Sequence, residues 1–309
     1  MTGEIIQPAR LRCCIPTTSS VGFGSLAKLA DSGTRKRAQV QGSHDSTSGI
    51  WIFQGNSLEI LDGIAAKYPE GRFDAIFADP PYFLSNGGTS CRGGQRVKVD
   101  KGAWDKSRGT ELNHEFNLEW LRRCQRVLKP DGTLWVTGTH HVIFSIGLAM
   151  QQLGFKILND IAWEKPNPPP NLSCRYFTHS TETVLWAAKN EKSKHCFNYA
   201  AMKAVTGRQM KTVWRFTAPG RAEKTFGKHP TQKPLSLVER CLLASTAECD
   251  LVLDPFLGTG TTAVACARLK RNCVGIEMNA DYVQIAVKRV AAAIEPPTMA
   301  ESILVSETN

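Results

Sequence analysis

Acidic residues, paired cysteines and long apolar runs are all scarce in this sequence. Of 309 residues, 28 are Asp or Glu against 38 Lys or Arg, leaving a net charge of +10. That imbalance points to a polyanionic partner. Ten cysteines are present, yet no Cys-x-x-Cys occurs. Cys241, Cys249, Cys266 and Cys273 stand in apolar segments. Buried reduced thiols are therefore expected, as in a cytoplasmic protein, and neither a disulfide framework nor a metal site. No apolar run reaches the roughly 20 residues that cross a bilayer. The first residues lack the apolar core of a secretory signal, so a cytoplasmic location with no membrane partner is expected. No Gly-Lys-Ser/Thr occurs, which excludes a P-loop. Apolar residues make up 42%, enough for a sizeable core.

Against these absences, one tetrapeptide stands out: Asp79-Pro80-Pro81-Tyr82, directly after the apolar run Phe73 to Ala78. Such a run reads as a buried strand. In an open α/β sheet, ligands bind at the C-terminal ends of strands. A carboxylate, a carbonyl aimed by rigid prolines and an aromatic ring suit an exocyclic amine on a flat base. Turns at strand ends also favour Asp and Pro, so the tetrapeptide gains weight only from what accompanies it.

The accompaniment lies far along the chain. Leu251-Val252-Leu253 leads into Asp254-Pro255-Phe256-Leu257-Gly258-Thr259-Gly260-Thr261-Thr262, then into a helix-like stretch to Leu269. This is strand, glycine turn, helix, an arrangement that brings a ligand close to backbone N–H groups. A further strand, Cys273 to Ile276, ends at Glu277. An acid about 20 positions after such a turn is the usual partner of ribose hydroxyls. The turn departs from G-x-G-x-x-G, so a nucleoside ligand without a pyrophosphate fits better than a dinucleotide.

Together these segments resemble the S-adenosylmethionine-dependent DNA amino-methyltransferases. The Asp79 motif matches that family's catalytic motif, and Asp254 to Thr262 its cofactor motif. Catalytic motif first and cofactor motif last is the permuted order of the β class. His229-Pro230-Thr231-Gln232-Lys233-Pro234 matches the segment preceding the cofactor motif there. Tyr82 to Gly88 and Asn171 to Thr183 are similar to adenine methyltransferases of DpnII-type restriction systems. The resemblance spans about residues 50 to 292.

It implies an α/β fold with a doubly wound, mostly parallel Rossmann-like methyltransferase sheet, a circularly permuted motif order and an inserted target-recognition segment. It implies that Asp79, Pro80, Pro81 and Tyr82 are catalytic, with Asp79 and the Pro80 carbonyl taking the amine hydrogens of a flipped base and Tyr82 stacking on it. S-adenosylmethionine would be held by Asn56, Ser57, Thr231, Lys233, Asp254, Phe256, Gly258, Gly260, Thr261, Glu277 and Met278. Among these, Thr231 and Lys233 are expected on the cofactor carboxylate and Glu277 on its ribose. Asn56 stands where the family often has Asp, and it can equally cap a helix. DNA is the implied partner, adenine N6 the implied target, and a homodimer is carried over with them. The alternatives are cytosine-N4 methylation and a catalytically silent DNA-binding relative. Asp in the first motif position tilts towards adenine, and the intact motifs weigh against silence.

The remaining organisation follows from composition. Residues 1–48 show no periodicity and are expected to form a flexible arm, with 294–309 a tail. As the resemblance implies, residues 49–188 are expected to form the catalytic half and 229–293 the cofactor half. A long Gly-rich polar stretch, 83–113, carries Arg92, Arg96 and Lys98 and is expected to be a structureless DNA-contacting lid. Residues 189–228 hold ten Lys or Arg and two acids, Glu191 and Glu223. Phe197, Tyr199, Trp214 and Phe216 stand among those cations, which suits phosphate contact and base stacking. Lys211, Arg215 and Arg221 are the DNA contacts expected from this target-recognition segment.

Overall fold

The structure is a computed structural model that describes residues 42–45, 49–87, 89–92, 95–98, 102, 105–227 and 229–294. Its centre is a nine-stranded sheet in the order β1-β2-β11-β10-β3-β6-β8-β7-β9. The strands are β1 Gly42–Asp45, β2 Ile50–Gln54, β3 Phe73–Ala78, β6 Leu128–Gly138, β7 Lys156–Glu164, β8 Thr181–Ala188, β9 Val213–Arg215, β10 Leu251–Asp254 and β11 Asn272–Glu277. All but β1 and β8 run the same way. β4 (Thr89–Arg92) and β5 (Gln95–Lys98) form a separate antiparallel hairpin.

Helices cover both faces. α1 (Ser57–Lys67), α2 (Thr110–Val127) and α3 (Ile143–Gln152) pack on one side, with Leu61, Ile64, Trp120, Leu121 and Ile146 against Phe73 and Ile76 of β3. α4 (Tyr199–Thr206), α5 (Leu235–Ser245), α6 (Thr261–Arg268) and α7 (Ala280–Ile294) cover the other, where Leu237, Cys241, Ala263 and Val283 meet Phe77 and Val252. Burial on both faces is why the central strands read as continuous apolar runs, without the alternation of a one-sided sheet.

The parallel pairing of β3 with β10 decides where the site lies. Val252 opposes Ala75 and Leu253 opposes Ile76. Asp74 pins the start of this seam: one carboxylate oxygen accepts from Leu251 N at 3.0 Å and the other from Lys129 Nζ at 2.6 Å. Asp79 and Phe256 each lie three residues beyond that paired register, at the same rim. The β3–β6 pairing jumps from Phe73–Leu128 to Ala75–Thr133. The jump lets the Lys129-Pro130-Asp131-Gly132 turn bulge out while Thr137 still arrives beside Asp79.

Several expectations change. Part of the segment expected to be a structureless arm forms β1, paired antiparallel with β2 over Gly42–Phe53 to Asp45–Ile50. The 83–113 stretch is not structureless: it contains the hairpin, and α2 begins within it at Thr110. Trp214 is a core residue at 6% exposure, inside a strand that extends the sheet, and not a base-stacking group. Cys241, Cys266 and Cys273 are buried, whereas Cys249 is exposed. The remainder of the expected arm, residues 1–41 and 46–48, and the tail from 295 lie outside the described residues.

Trp135 shows how the sheet is held. It is 1% exposed, stacks on Trp186 at 4.8 Å, and donates from Nε1 to Ser245 Oγ at 2.9 Å. Trp135→Ala is expected to lower the unfolding free energy by about 3–5 kcal/mol in urea titrations. A loss below about 1 kcal/mol would contradict its place in the core.

Candidate active site

β3 delivers Asp79 into a dense polar network. Asp79 Oδ1 accepts from Thr137 Oγ1 at 2.6 Å and from the Tyr82 hydroxyl at 2.8 Å. Oδ2 accepts from Lys233 Nζ at 2.7 Å. The Lys233 ammonium is 5% exposed and lies 5.0 Å from the Tyr82 ring centroid. Glu182 joins from the first residues of β8. Its Oε2 is 3.4 Å from the Tyr82 hydroxyl and 3.9 Å from Lys233 Nζ, and its Oε1 bonds Lys165. Two carboxylates and two ammonium groups thus balance in a partly buried cluster around the buried Lys233, the condition under which buried charge is tolerated. Burial, reinforced by Asp79 and Glu182, pushes the Tyr82 phenol well above its usual range. The phenol therefore stays protonated and acts as the donor.

Backbone geometry after the motif is set by one buried acid. Asp105, fully buried, accepts from Tyr82 N at 2.9 Å, Leu84 N at 3.1 Å and Ser85 Oγ at 2.9 Å. These bonds satisfy main-chain donors that no strand partner reaches. They also hold Phe83 at φ 57°, a left-handed conformation uncommon outside glycine.

The opposite wall is the glycine turn. Asp254 is 3% exposed and accepts from Phe256 N at 2.9 Å. Glu277 accepts from Gly258 N and Asn279 N, both at 2.8 Å. Two bonded donors leave lone pairs on each side of that carboxylate for further hydroxyl donors. Burial raises its pKa, and the backbone donors pull the other way. Gly258 holds φ 54°, the conformation that calls for glycine here. Arg289 braces the turn from behind, donating to Thr259 O at 2.7 Å and Thr261 Oγ1 at 3.1 Å. Phe256 packs edge-on to Trp120 at 5.5 Å, and Ser57 Oγ donates to Pro255 O.

Between the walls lies a cavity of about 700 Å³. Asp79, Pro80, Pro81, Tyr82, Asn56, Ser57, Thr231, Lys233, Asp254, Phe256, Gly258, Thr261, Glu277 and Met278 all line it. Gly260 does not. It starts α6 at φ 84°, where an added Cβ would sit 2.8 Å from Ala286 Cβ, so close helix packing is what requires this glycine. Asn56 caps α1, its side chain accepting from Leu58 N at 2.9 Å, as well as lining the cavity. Lys233 was expected on a cofactor carboxylate; the structure commits its ammonium to Asp79. Tyr82 is turned inward at 5% exposure and is not presented as a stacking platform.

Lys211, Arg215 and Arg221 are exposed. β9 runs parallel to β7, so Arg215 at its end reaches the same rim as Asp79. The side chains of Arg92, Arg96 and Lys98 lie outside the described residues. Sequence reasoning missed Thr137, Glu182, Lys165 and Asp105. For Glu182 and Lys165 there was a signal: both are charged and stand at the ends of apolar strands bordering the catalytic edge. Asp105 carried none.

Burial pushes the Asp254 carboxyl from 3.8 up to about 7. Below 3.8 the group is neutral folded and unfolded. As pH rises to about 7 the unfolded chain ionises first, so the stability associated with this group is lost across that window. Asp254→Asn, which keeps the acceptor for Phe256 N, is expected to flatten the fall in unfolding free energy between pH 4 and pH 7, by on the order of 4 kcal/mol. Urea titrations with the same pH slope in both proteins would contradict it.

Residues 73–288 match the sequence model of a family described as DNA methylase, N6_N4_Mtase. The Type II methyltransferase M2.DpnII of Streptococcus pneumoniae is 58% identical over 232 residues, spanning 74% of this chain and 87% of the relative. M2.MboI of Moraxella bovis is 48% identical over 239 residues, 77% and 86% of the two chains. The crystal structure of an M1.HpyAVI-SAM complex is 32% identical with a TM-score of 0.60, over 78% of this chain and 98% of that one. The cytosine-N4-specific PvuII DNA methyltransferase shares the fold at a TM-score of 0.62 and 22% identity. From its fold, its two-walled cavity and these matches, the chain belongs to the N6/N4 family of DNA methylases.

Proposed function

We propose that this DNA methylase transfers a methyl group from S-adenosylmethionine to adenine N6 of a base flipped out of the duplex, at a specific site and within a restriction-modification system. The observation that carries the reading is the Asp79 carboxylate, aimed into a cavity whose other wall is the Gly258–Glu277 turn. The residues fit the cofactor. Glu277 has acceptor positions left for ribose hydroxyls, Gly258 gives open backbone approach, and the Asp79 and Glu277 carboxylates make the cavity hospitable to a sulfonium. When bound, the cofactor supplies an electrophilic methyl carbon.

The chain's own residues do the rest. Adenine N6 is a weak nucleophile because its lone pair is delocalised into the ring. Hydrogen bonds from the amine to Asp79 and the Pro80 carbonyl favour a tetrahedral nitrogen and aim its lone pair at the cofactor wall. Oδ1 of Asp79 already serves Thr137 and Tyr82. Tyr82 must swing outward to stack on the base, and that same movement releases one acceptor site for the amine. Lys233 stays on Oδ2 and keeps a positive charge beside the carboxylate as the base enters. The N6 proton leaves late, to the Asp79 carboxylate that already accepts its hydrogen bond; because the methylated nitrogen is acidic, Asp79 need not be a strong base. Residues 189–228, with Lys211, Arg215 and Arg221, provide the target-recognition surface, and the stretch that holds the β4–β5 hairpin contacts the DNA. Asp79 favours adenine over cytosine N4, and the M2.DpnII and M2.MboI likeness agrees with that choice.

Incubation with DNA and methyl-labelled S-adenosylmethionine, followed by nucleoside analysis, is expected to yield N6-methyladenine. N4-methylcytosine as the sole product would overturn the adenine assignment. Asp79→Ala is expected to lower kcat by on the order of 100-fold or more with cofactor still bound; full retained activity would refute the mechanism.

Lys233 separates two roles. If it serves Asp79, Lys233→Met lowers kcat at least about tenfold and leaves the cofactor dissociation constant within about twofold. A cofactor affinity loss of about tenfold, with kcat at saturation intact, would return Lys233 to the cofactor carboxylate.

A further inference from the structure

The loop joining β7 to β8 presents a ring that the fold does not use. Phe177 is 95% exposed, the most exposed large apolar side chain among the described residues. Its neighbours Tyr176 and Leu172 are 63% and 51% exposed. The segment is nevertheless fixed in place. Pro168, Pro169 and Pro170 stiffen its entry. Asn171 then closes a tight turn, donating from Nδ2 to Tyr176 O at 2.6 Å and accepting from Ser173 N at 3.0 Å. His179 stacks on His140 at 4.1 Å, which ties the loop to the end of β6. At its base, Lys165 N donates to Ser180 O at 2.8 Å.

That base belongs to the catalytic rim. Lys165 bonds Glu182, and Glu182 lies 3.4 Å from the Tyr82 hydroxyl. An ordered loop thus rises from the edge of the cavity with its ring held in water. Exposed apolar rings gain free energy only when something covers them. No acidic residue lies between Lys165 and Ser180, and Arg175 stands exposed two positions before Phe177. The loop is therefore free of carboxylates that would repel phosphates, while its apolar tip matches the interior of a base stack.

We propose that Phe177 is the wedge that enters the duplex and fills the gap left by the extruded base. Apolar side chains that insert between base steps offset the cost of unstacking. Phe177 makes no contact with the reacting atoms; it is a positioning residue that raises the population of the extruded state. This inference rests on the reading of the chain as an enzyme acting on a flipped adenine.

The test compares wild type with Phe177→Ala on two substrates. One is a paired duplex carrying a site that the wild-type enzyme methylates; the other is the same duplex with an abasic position opposite the target adenine. On the paired duplex the variant is expected to lose at least about tenfold in kcat/KM. On the abasic duplex, where extrusion costs little, it is expected to remain within about twofold of wild type. A 2-aminopurine at the target position is expected to brighten on binding wild type and to stay dim with the variant. Loss of similar size on both substrates, or no loss on the paired duplex, overturns the wedge. If wild type methylates adenine in neither substrate, the functional reading itself falls, whatever Phe177 does.

Discussion

The parallel pairing of β3 with β10 is the constraint from which the rest follows. Two segments about 175 residues apart in sequence become neighbours because Val252 and Leu253 ladder onto Ala75 and Ile76. Asp74 fixes the register by holding the N–H of Leu251. A one-residue slip in such a pairing would turn every side chain to the opposite face. Asp79 and the glycine turn would then no longer open onto one cavity. The apolar runs of both strands, buried on both faces, specify that register through packing.

Within the cavity, chemistry and stability pull against one another. Asp79, Glu182, Asp254 and Glu277 are four acids brought to one rim in a chain otherwise short of acid. Lys233 and Lys165 neutralise the first two, and backbone N–H groups serve the others. Such a site is costly to bury and is retained because it does something once occupied. The Tyr82 hydroxyl occupies an acceptor position on Asp79, so the polar network is complete without substrate; in the proposed mechanism the incoming amine takes that position.

Much of this was legible in the sequence because motifs of strand, turn and helix are local. Asp79 to Tyr82, Asp254 to Thr262 and Glu277 could be placed from their own neighbours. The doubly wound sheet was implied by the family resemblance that those motifs carry. Partners that come together only through topology were harder to see. Thr137 reaches Asp79 because β6 lies beside β3, and Glu182 comes near Tyr82 and Lys233 because β8 returns antiparallel beside β6. Asp105 looked like one polar residue among many in a Gly-rich stretch. Trp214 was misread because aromatic and basic residues alternate there, yet the same alternation is what a half-buried edge strand requires. Gly260 was placed with the ligand by the family resemblance, whereas helix packing against Ala286 is what calls for it.

The pairing of the two walls is tested most directly by a crystal structure of the protein with S-adenosylhomocysteine and a methylatable duplex. The expected result has the ribose hydroxyls on Glu277, the target adenine outside the helix with its amine on Asp79, and the cofactor sulfur facing that nitrogen. A cofactor whose sulfur points away from Asp79, or an adenine still paired within the duplex when both ligands are bound, would contradict it.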